Sequence, residues 1–329
     1  MSKIRWGIIS TAKIGREKVI PAIQNSMHGE VVAIASRGIE EAKKSAAQLK
    51  ILKAYGSYEE LLEDKDIDAI YIPLPNHLHV SWAIKALQAG KHVLCEKPVA
   101  LSAAEAIQLN EAAKESPHLK IMEAFMYRFH PQWQKAKKLV NEGSIGTLKT
   151  IHASFSYYNA DPNNIRNRPD IGGGGMMDIG CYCISLARFI FDEEPKKVTG
   201  LIDYDPELGT DRMASGMLQF EKGTSTFTCS TQLMPFQRVN IIGTTGRIEI
   251  EIPFNAPPDK TTRLHLYTAG KTEEIAFDPV NQYTIQCDEF ALSIIENKEV
   301  PEPLNDAINN MKVIEAIFKS AKEECWVTL

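Results

Sequence analysis

This 329-residue chain lacks the cysteine and histidine patterns that build metal or redox sites. Its six cysteines are scattered, at Cys95, Cys181, Cys183, Cys229, Cys287 and Cys325. The close pair at 181 and 183 has neither the spacing of a redox motif nor a second pair that would complete a zinc site. We therefore expect buried free thiols and no metal centre.

Long hydrophobic runs and an excess of basic charge are missing as well. The longest apolar runs are strand-sized and fall far short of the roughly 20 residues that a membrane-spanning helix needs. Met1-Ser2-Lys3 leads directly into a strand-like segment with no signal peptide, and the formal net charge is -5. We expect a cytoplasmic protein that binds neither membranes nor nucleic acid.

The chain has the composition of a globular protein, with 44% hydrophobic and 24% charged residues. Its length suits two domains, each with a hydrophobic core. In the first third, apolar strands alternate with helices, two of which start at capping boxes, Ser57 with Glu60 and Ser102 with Glu105. This alternation predicts an α/β domain over residues 1–122, a Rossmann doubly wound parallel sheet. Strands are predicted at about 4–10, 30–36, 69–73, 92–95 and 119–123.

The remainder follows a different pattern. Beyond about residue 147, strands alternate apolar and polar residues, which indicates one buried and one open face. Residues 123–329 are therefore predicted to form an α+β domain with a large, mainly antiparallel, open-faced sheet and two final helices. The strands are expected at about 147–157, 197–204, 211–220, 224–233, 238–242, 247–252, 263–267 and 273–277.

The loop after the first strand occupies the place of a dinucleotide-binding glycine turn. Ser10 and Ala12 stand at the first two glycine positions and only Gly15 remains, so the loop alone also fits a plain strand-to-helix turn. The context favours a nucleotide site, because Ser36 and Arg37 follow the second strand, where this fold places its ribose-reading residue. An acidic residue there favours NAD, whereas arginine accommodates the 2′-phosphate of NADP. The candidate contacts are Ser10, Thr11, Ala12, Ile14, Gly15, Ser36 and Arg37.

Two further strand ends carry polar residues. Because Pro98 follows it, Lys97 is restricted to extended backbone and lies beyond its strand, where open α/β sheets bind ligands. A solvated surface lysine is the alternative. His79 follows the strand at 69–73 and also suits a structural role such as helix capping, which we favour over catalysis. The candidates at these two ends are Leu74, Asn76, His79, Glu96 and Lys97.

Four consecutive glycines, 172–175, precede a predicted helix in the second domain. Such a run costs backbone entropy that a plain linker does not require, and it permits close approach to a ligand or another element. Asp178 is favoured near the helix start by the dipole, and Tyr182 four residues later shares its face. An N-capping aspartate and a half-buried tyrosine are the structural alternative.

Two motifs together resemble those of the glucose-fructose oxidoreductase/inositol dehydrogenase family. They are Val-Leu-Cys-Glu-Lys-Pro at 93–98 and the glycine run followed by Asp-Ile-Gly-x-Tyr at 178–182. The resemblance spans essentially the whole chain. It is strongest to the branch of dihydrodiol dehydrogenases and NADP-dependent D-xylose dehydrogenases, which carries tyrosine where inositol dehydrogenases carry histidine.

The resemblance implies a nucleotide-binding first domain and a second domain whose open-faced sheet forms a homodimer or a dimer of dimers. It implies that Lys97 and Tyr182 meet at the nicotinamide and are the catalytic residues. Arg166 matches a substrate-contacting segment, so Arg166, Asp178 and Tyr182 are the expected substrate-binding residues. The replaced glycines at Ser10 and Ala12 depart from the family pattern.

These residue types suit the oxidation of an alcohol by hydride transfer, which requires a base for the hydroxyl proton. A tyrosine with its reference pKa of about 10 is a poor base at neutral pH, but a nearby lysine ammonium lowers that pKa. We expect an NADP-dependent dehydrogenase or reductase that acts on a sugar, polyol or related small molecule, with NAD as the alternative cofactor. The alternative functions are a trans-dihydrodiol dehydrogenase and a non-catalytic, nucleotide-sensing regulatory protein.

Overall fold

The computed structural model describes residues 3–329, which form two compact units. The first unit runs to Met126 and adds Gln282–Ile308, and the second comprises Tyr127–Asn281 and Asn309–Leu329. The first division lies four residues beyond the predicted boundary at residue 122, whereas the segment 282–308 packs with the first unit. The functions assigned to the domains 1–122 and 123–329 stay predictions.

The first unit contains a six-stranded parallel sheet in the order β3-β2-β1-β4-β5-β6. This order and the crossover helices confirm the predicted doubly wound sheet. The strands are β1 Ile4–Ile9, β2 Gly29–Ala35, β3 Lys53–Tyr55, β4 Ala69–Ile72, β5 His92–Cys95 and β6 Ile121–Glu123. The helices up to residue 114 are α1 Ile20–Gln24, α2 Ile39–Leu49, α3 Tyr58–Glu63, α4 His79–Gln88 and α5 Ala103–Lys114.

Local sequence signals start two of these helices. The Ser57 hydroxyl accepts from the Glu60 amide at 3.2 Å, and the Ser102 hydroxyl accepts from the Glu105 amide at 3.1 Å. Both predicted capping boxes are thus confirmed, because the first amides of a helix lack intrahelical partners and a serine oxygen satisfies one of them.

A late helix, α8 Gln282–Ile295, completes the first unit. Its Phe290 ring lies 5.6 Å from the fully buried ring of Trp6 on β1. Asp288 accepts a hydrogen bond of 2.5 Å from the Ser26 hydroxyl, which precedes β2. The first unit therefore takes part of its core from a segment far along the chain.

The second unit contains a nine-stranded sheet in the order β14-β13-β12-β11-β7-β10-β9-β8-β15. All neighbours are antiparallel except β7 and β10, which confirms the predicted mainly antiparallel sheet. Its strands are β7 Leu148–Tyr158, β8 Lys197–Tyr204, β9 Asp211–Gln219, β10 Thr224–Ser230, β11 Gln232–Gly243, β12 Gly246–Ile250, β13 Thr262–Thr268, β14 Lys271–Phe277 and β15 Val327–Thr328. The remaining helices are α6 Pro131–Asn141, α7 Cys181–Phe191 and α9 Leu304–Glu323, which begins in the first unit.

The prediction of one strand over 224–233 is wrong, because the chain changes position in the sheet at Thr231. The Thr231 amide donates to Arg212 at 3.0 Å and its carbonyl accepts from Asn159 at 2.7 Å. β10 therefore lies on one side of β7 and β11 on the other. The two-residue strand β15 was not predicted, and it is held by pairing with β8.

Helix α7 belongs to the apolar core of the second unit. The helical stretch Pro169–Phe191 is long and apolar enough to cross a membrane by composition, but 89% of its most apolar window is buried within the protein. Burial of this kind is typical of a core helix. On the opposite face of the sheet, Leu201 and Met217 are exposed, so this face remains open as predicted.

Candidate active site

The carboxyl edge of the first unit's sheet gathers most of the predicted cofactor residues. Ser10 to Gly15 follow β1, and Ser36 and Arg37 follow β2. Leu74 and Asn76 follow β4, and Glu96 and Lys97 follow β5. Carboxyl ends of parallel strands share one edge, which is where this fold binds its ligands.

Ser10 adopts a left-handed backbone conformation with a φ of 84°. This region is costly for residues other than glycine, which explains why glycine is common at this turn. The Ser10 hydroxyl stabilises the turn by accepting from the amide of Ala12 at 3.2 Å. The replaced glycine therefore leaves the turn conformation intact. The helix that follows begins at Lys13 and continues through a π-helical turn, Gly15–Val19. The Arg16 amide donates to the Ala12 carbonyl at 3.1 Å, whereas the first amides of a helix lack intrahelical partners.

Arg37 lies two residues beyond the end of β2, and its side chain is exposed. Its guanidinium forms no hydrogen bond or ion pair within residues 3–329. The neighbouring Ser36 is half-buried, and its amide donates to Tyr55 at 3.2 Å. Five guanidinium donors are thus available for an anionic ligand.

Glu96 is anchored by Tyr71, a fully buried residue of β4. The Tyr71 hydroxyl donates to Glu96 Oε1 at 2.6 Å. Burial and the Glu96 carboxylate both raise the pKa of Tyr71 well above its usual value, so Tyr71 remains a phenol that donates. Glu96 is held at the strand end next to Lys97.

His79 is fully buried, and both ring nitrogens contact backbone carbonyls. Nδ1 lies 2.8 Å from the Pro98 oxygen and Nε2 lies 2.7 Å from the Leu74 oxygen. Burial lowers the pKa of this imidazole to about 4. His79 thus joins the loop after β4 to the loop after β5, which is the structural role that the sequence favoured over catalysis.

In the second unit, Asp178 is the centre of a polar cluster. Its Oδ2 accepts from the Tyr157 hydroxyl at 2.5 Å and from Arg166 Nε at 2.9 Å. Burial and the adjacent carboxylate raise the pKa of Tyr157, and the carboxylate raises that of Arg166. The cluster offers a carboxylate acceptor beside guanidinium and phenol donors, which suits a ligand rich in hydroxyl groups because a hydroxyl donates and accepts.

Tyr182 lies four residues after Asp178, beyond a π-helical turn, Met176–Gly180. Single π-helical turns are frequent at functional sites. The Tyr182 side chain is 6% exposed, and its ring packs between three aromatic rings, with centroid distances of 5.7 Å to Tyr127, 5.9 Å to Phe155 and 5.4 Å to Phe254. This packing fixes the position of the ring.

Sequence reasoning missed Tyr157 and Tyr71. Tyr157 fits the alternation of β7, and Tyr71 fits the uniformly buried β4, so no local signal distinguishes either residue. Their importance comes from partners far along the chain, Asp178 for Tyr157 and Glu96 for Tyr71.

Comparison with protein-family models agrees with these two units. A model of an oxidoreductase family with an NAD-binding Rossmann fold matches residues 4–124, and a model of the GFO/IDH/MocA C-terminal domain matches residues 133–249. The chain belongs to the GFO/IDH/MocA oxidoreductase family. The resemblance seen in the sequence motifs is thereby confirmed.

Relatives within the family include enzymes of several substrates. The chain is 38% identical over 327 residues to D-xylose 1-dehydrogenase (NADP(+)) 2 of Haloferax volcanii. The aligned region covers 98% of this chain and 99% of the relative. It is 38% identical over 256 residues to trans-1,2-dihydrobenzene-1,2-diol dehydrogenase of Xenopus tropicalis, covering 75% and 74%. The crystal structure of KijD10, a 3-ketoreductase from Actinomadura kijaniata in complex with NADP and TDP-benzene, superposes with a TM-score of 0.91 at 28% identity, covering 97% and 98%.

We expect Arg166→Ala to raise KM by about tenfold or more for the best substrate while lowering kcat less, because a hydrogen bond to a charged group contributes about 1.5–3 kcal/mol. Steady-state kinetics at saturating cofactor measure this split. Arg168→Ala is the matched control, since Arg168 lies in the same loop, is exposed and pairs with Asp170 at 2.5 Å. An unchanged KM in Arg166→Ala would remove this residue from the substrate site.

Proposed function

We propose that this protein is an NADP-dependent dehydrogenase or reductase that acts on a CH–OH group of a sugar, a polyol or a related hydroxy or keto compound. The observation that carries the proposal is the Tyr157–Asp178–Arg166 cluster, whose central Asp178 lies four residues before Tyr182. This family member thus carries hydroxyl-binding groups next to a residue capable of proton transfer.

In the proposed mechanism, Tyr182 takes the hydroxyl proton during oxidation and returns it during reduction. Lys97 assists by electrostatic stabilisation of the phenolate, which lowers the tyrosine pKa toward the working pH. Asp178 and Arg166 orient the substrate hydroxyls. Tyr157 keeps the Asp178 carboxylate in place through its 2.5 Å hydrogen bond.

The cofactor proposal rests on the residues at the carboxyl edge of the first unit's sheet. The left-handed turn at Ser10 and the following helix start suit a pyrophosphate, because exposed first-turn amides bind anions. Arg37 suits a 2′-phosphate, and both the name of the xylose dehydrogenase and the ketoreductase complex specify NADP. When bound, NADP⁺ would supply the hydride acceptor. The residues proposed to hold it are Ser10, Thr11, Ala12, Ile14, Gly15, Ser36, Arg37, Leu74, Asn76, Glu96 and Lys97, and the buried His79 would act by fixing the loops after β4 and β5.

We expect a preference for NADP over NAD of at least about tenfold in kcat/KM, since one charge-assisted hydrogen bond contributes about 1.5–3 kcal/mol. In Arg37→Ala the preference should fall mostly through KM, because the phosphate lies far from the reacting carbon. Lys43→Ala, on the exposed face of α2, is the control. Equal use of both cofactors by the wild-type protein would contradict the assignment of Arg37.

The function as a whole is tested by reduction of NADP⁺ with a panel of aldoses, polyols and trans-dihydrodiols. Turnover of an aldose or polyol is the expected result. Turnover restricted to trans-dihydrodiols would favour the activity named for the Xenopus relative. If no compound of the panel is turned over although NADP binding is measurable, the nucleotide-sensing regulatory protein would be favoured instead.

We also propose a homodimer, or a dimer of dimers, formed through the open face of the nine-stranded sheet. Leu201 is 76% exposed on this face and Met217 is 37% exposed. Apolar groups on a broad open face favour association, and two-fold symmetry is its commonest form. Sedimentation at micromolar concentration should give at least a dimer, and Leu201→Lys should shift the protein toward the monomer. A wild-type monomer would contradict the proposal.

A further inference from the structure

Asp211, the first residue of β9, is a buried carboxylate that the proposed mechanism does not use. Its side chain is 3% exposed, and it forms no ion pair with any residue from 3 to 329. A buried carboxylate without a cation is costly unless hydrogen bonds compensate it. The partners of Asp211 therefore indicate what the residue does.

The side-chain partner is a backbone amide at the end of the glycine run. Asp211 Oδ2 accepts from the Met176 amide at 2.5 Å. The residue before this helix start is a glycine and supplies no capping side chain. Asp211 thus caps the helix from a distant strand, where the helix dipole also favours negative charge.

The glycine run is shaped around this carboxylate. Gly174 has a φ of +116°, and a Cβ atom there would collide with Asp211 Oδ1. A Cβ atom on Gly175 would lie 3.4 Å from Asp211 Oδ2. Glycine at 174 is therefore required both by the backbone conformation and by the approach of Asp211.

The same turn positions both members of the Asp178–Arg166 pair. The Gly174 amide donates to the Arg166 carbonyl at 2.7 Å, and the Asp178 amide donates to the Gly174 carbonyl at 3.0 Å. The Arg166 guanidinium in turn donates a hydrogen bond to Asp178 Oδ2 at 2.9 Å. A displacement of the turn would move the carboxylate and the guanidinium that the proposed function assigns to the substrate.

We propose that Asp211 is a positioning residue of the active site, whose ionised carboxylate holds the glycine turn and thereby aligns Asp178 and Arg166 for the substrate. The inference rests on the proposed function for its kinetic consequence. The structural part of the inference is that Asp211 keeps residues 174–179 in place, and this part does not depend on any activity.

The charge of this carboxylate is sensitive to pH near neutrality. Burial raises the pKa of Asp211 to about 7, against the lowering effect of the Met176 and Gly175 amides, and the negative charge of Asp178 adds to the rise. Asp211 also interacts electrostatically with the titratable groups Tyr204 and Cys229. As the pH falls through 7, Asp211 gains a proton and becomes a weaker acceptor, so the hold on the turn weakens.

Hydrogen–deuterium exchange of the 174–179 amides in Asp211→Asn tests the hold directly. An asparagine keeps one acceptor oxygen but carries no charge, so we expect faster exchange than in the wild type at pH 8. Asp205→Asn is the matched control, because Asp205 is also buried and caps the Glu207 and Leu208 amides in the same unit. Unchanged exchange in Asp211→Asn would overturn the proposal.

The kinetic test compares kcat/KM of the two proteins between pH 6 and pH 8. At pH 8 we expect Asp211→Asn to be about tenfold below the wild type, the loss typical of one charge-assisted hydrogen bond. At pH 6 the two proteins should converge, because both side chains are then neutral. A purely structural role would instead lower the melting temperature and give parallel pH profiles, and that outcome would overturn the proposal.

Two results separate this inference from the proposed function. If no sugar-like substrate is turned over by the wild type, the proposed function fails while the exchange experiment still decides the role of Asp211. If Asp211→Asn does not fold, exchange of the wild-type 174–179 amides is measured from pH 6 to 8 and corrected for intrinsic rates. Protection that rises through pH 7 supports the proposal, and constant protection overturns it.

Discussion

We expect Tyr182→Phe to lower kcat by about 10²–10⁴-fold, the usual contribution of general acid–base catalysis. Only the hydroxyl is removed, and the ring keeps its packing against Tyr127, Phe155 and Phe254. The melting temperature and the dissociation constant for NADP are therefore expected to stay close to those of the wild type. Stopped-flow measurement of NADPH formation with the best substrate gives the chemical step.

Tyr267→Phe is the matched control for this loss. Tyr267 lies on β13 of the same unit, with its ring stacked 3.9 Å from the guanidinium carbon of Arg247. It has no role in the proposed chemistry, so its kcat should remain at the wild-type value. A Tyr182→Phe protein that kept near-wild-type turnover would remove Tyr182 from the mechanism.

The second large effect is expected for Lys97→Met, which keeps an unbranched apolar side chain and removes the charge. At neutral pH, kcat should fall by about 10²-fold or more, because the tyrosine returns toward its reference pKa of about 10. The loss should shrink as the pH rises toward 10, since hydroxide then generates the phenolate without help. Tyr182→Phe should show no such recovery, so the pH profile of kcat distinguishes the two roles.

Lys85→Met controls for the loss of a lysine charge in the same unit. Lys85 is half exposed on α4 and pairs with Glu59 at 3.2 Å, an interaction of the surface kind that contributes little to stability. Its turnover should not change at any pH. A pH-independent loss in Lys97→Met would show that Lys97 acts by binding alone and not through the pKa of a tyrosine.

The parts of the fold that follow from short-range chemistry were predictable. Capping at Ser57 and Ser102 depends on residues three positions apart, and the parallel sheet follows from repeated strand and helix alternation. Motif residues at strand ends could be placed for the same reason, because the carboxyl ends of parallel strands share an edge.

What could not be predicted depends on partners distant in sequence. The strand break at Thr231 arises because β10 and β11 lie on opposite sides of β7. Asp211 resembles any aspartate at the start of a strand, and its amide partner, Met176, lies 35 residues earlier in the chain. Tyr157 likewise fits the alternation of β7 without requiring Asp178. Long-range contacts of this kind leave no local pattern.

The contribution of α8 to the first unit has a consequence for the synthesis of this protein. The ribosome synthesises the chain from its amino terminus, and domains commonly fold in that order as they emerge. Here the segment that covers Trp6 and bonds to Ser26 is made only after all strands of the second unit except β15. The first unit therefore cannot complete its core until about 155 further residues have been translated. A gene fragment that stops at Met126 lacks that segment, so it is a poor source of an isolated nucleotide-binding domain.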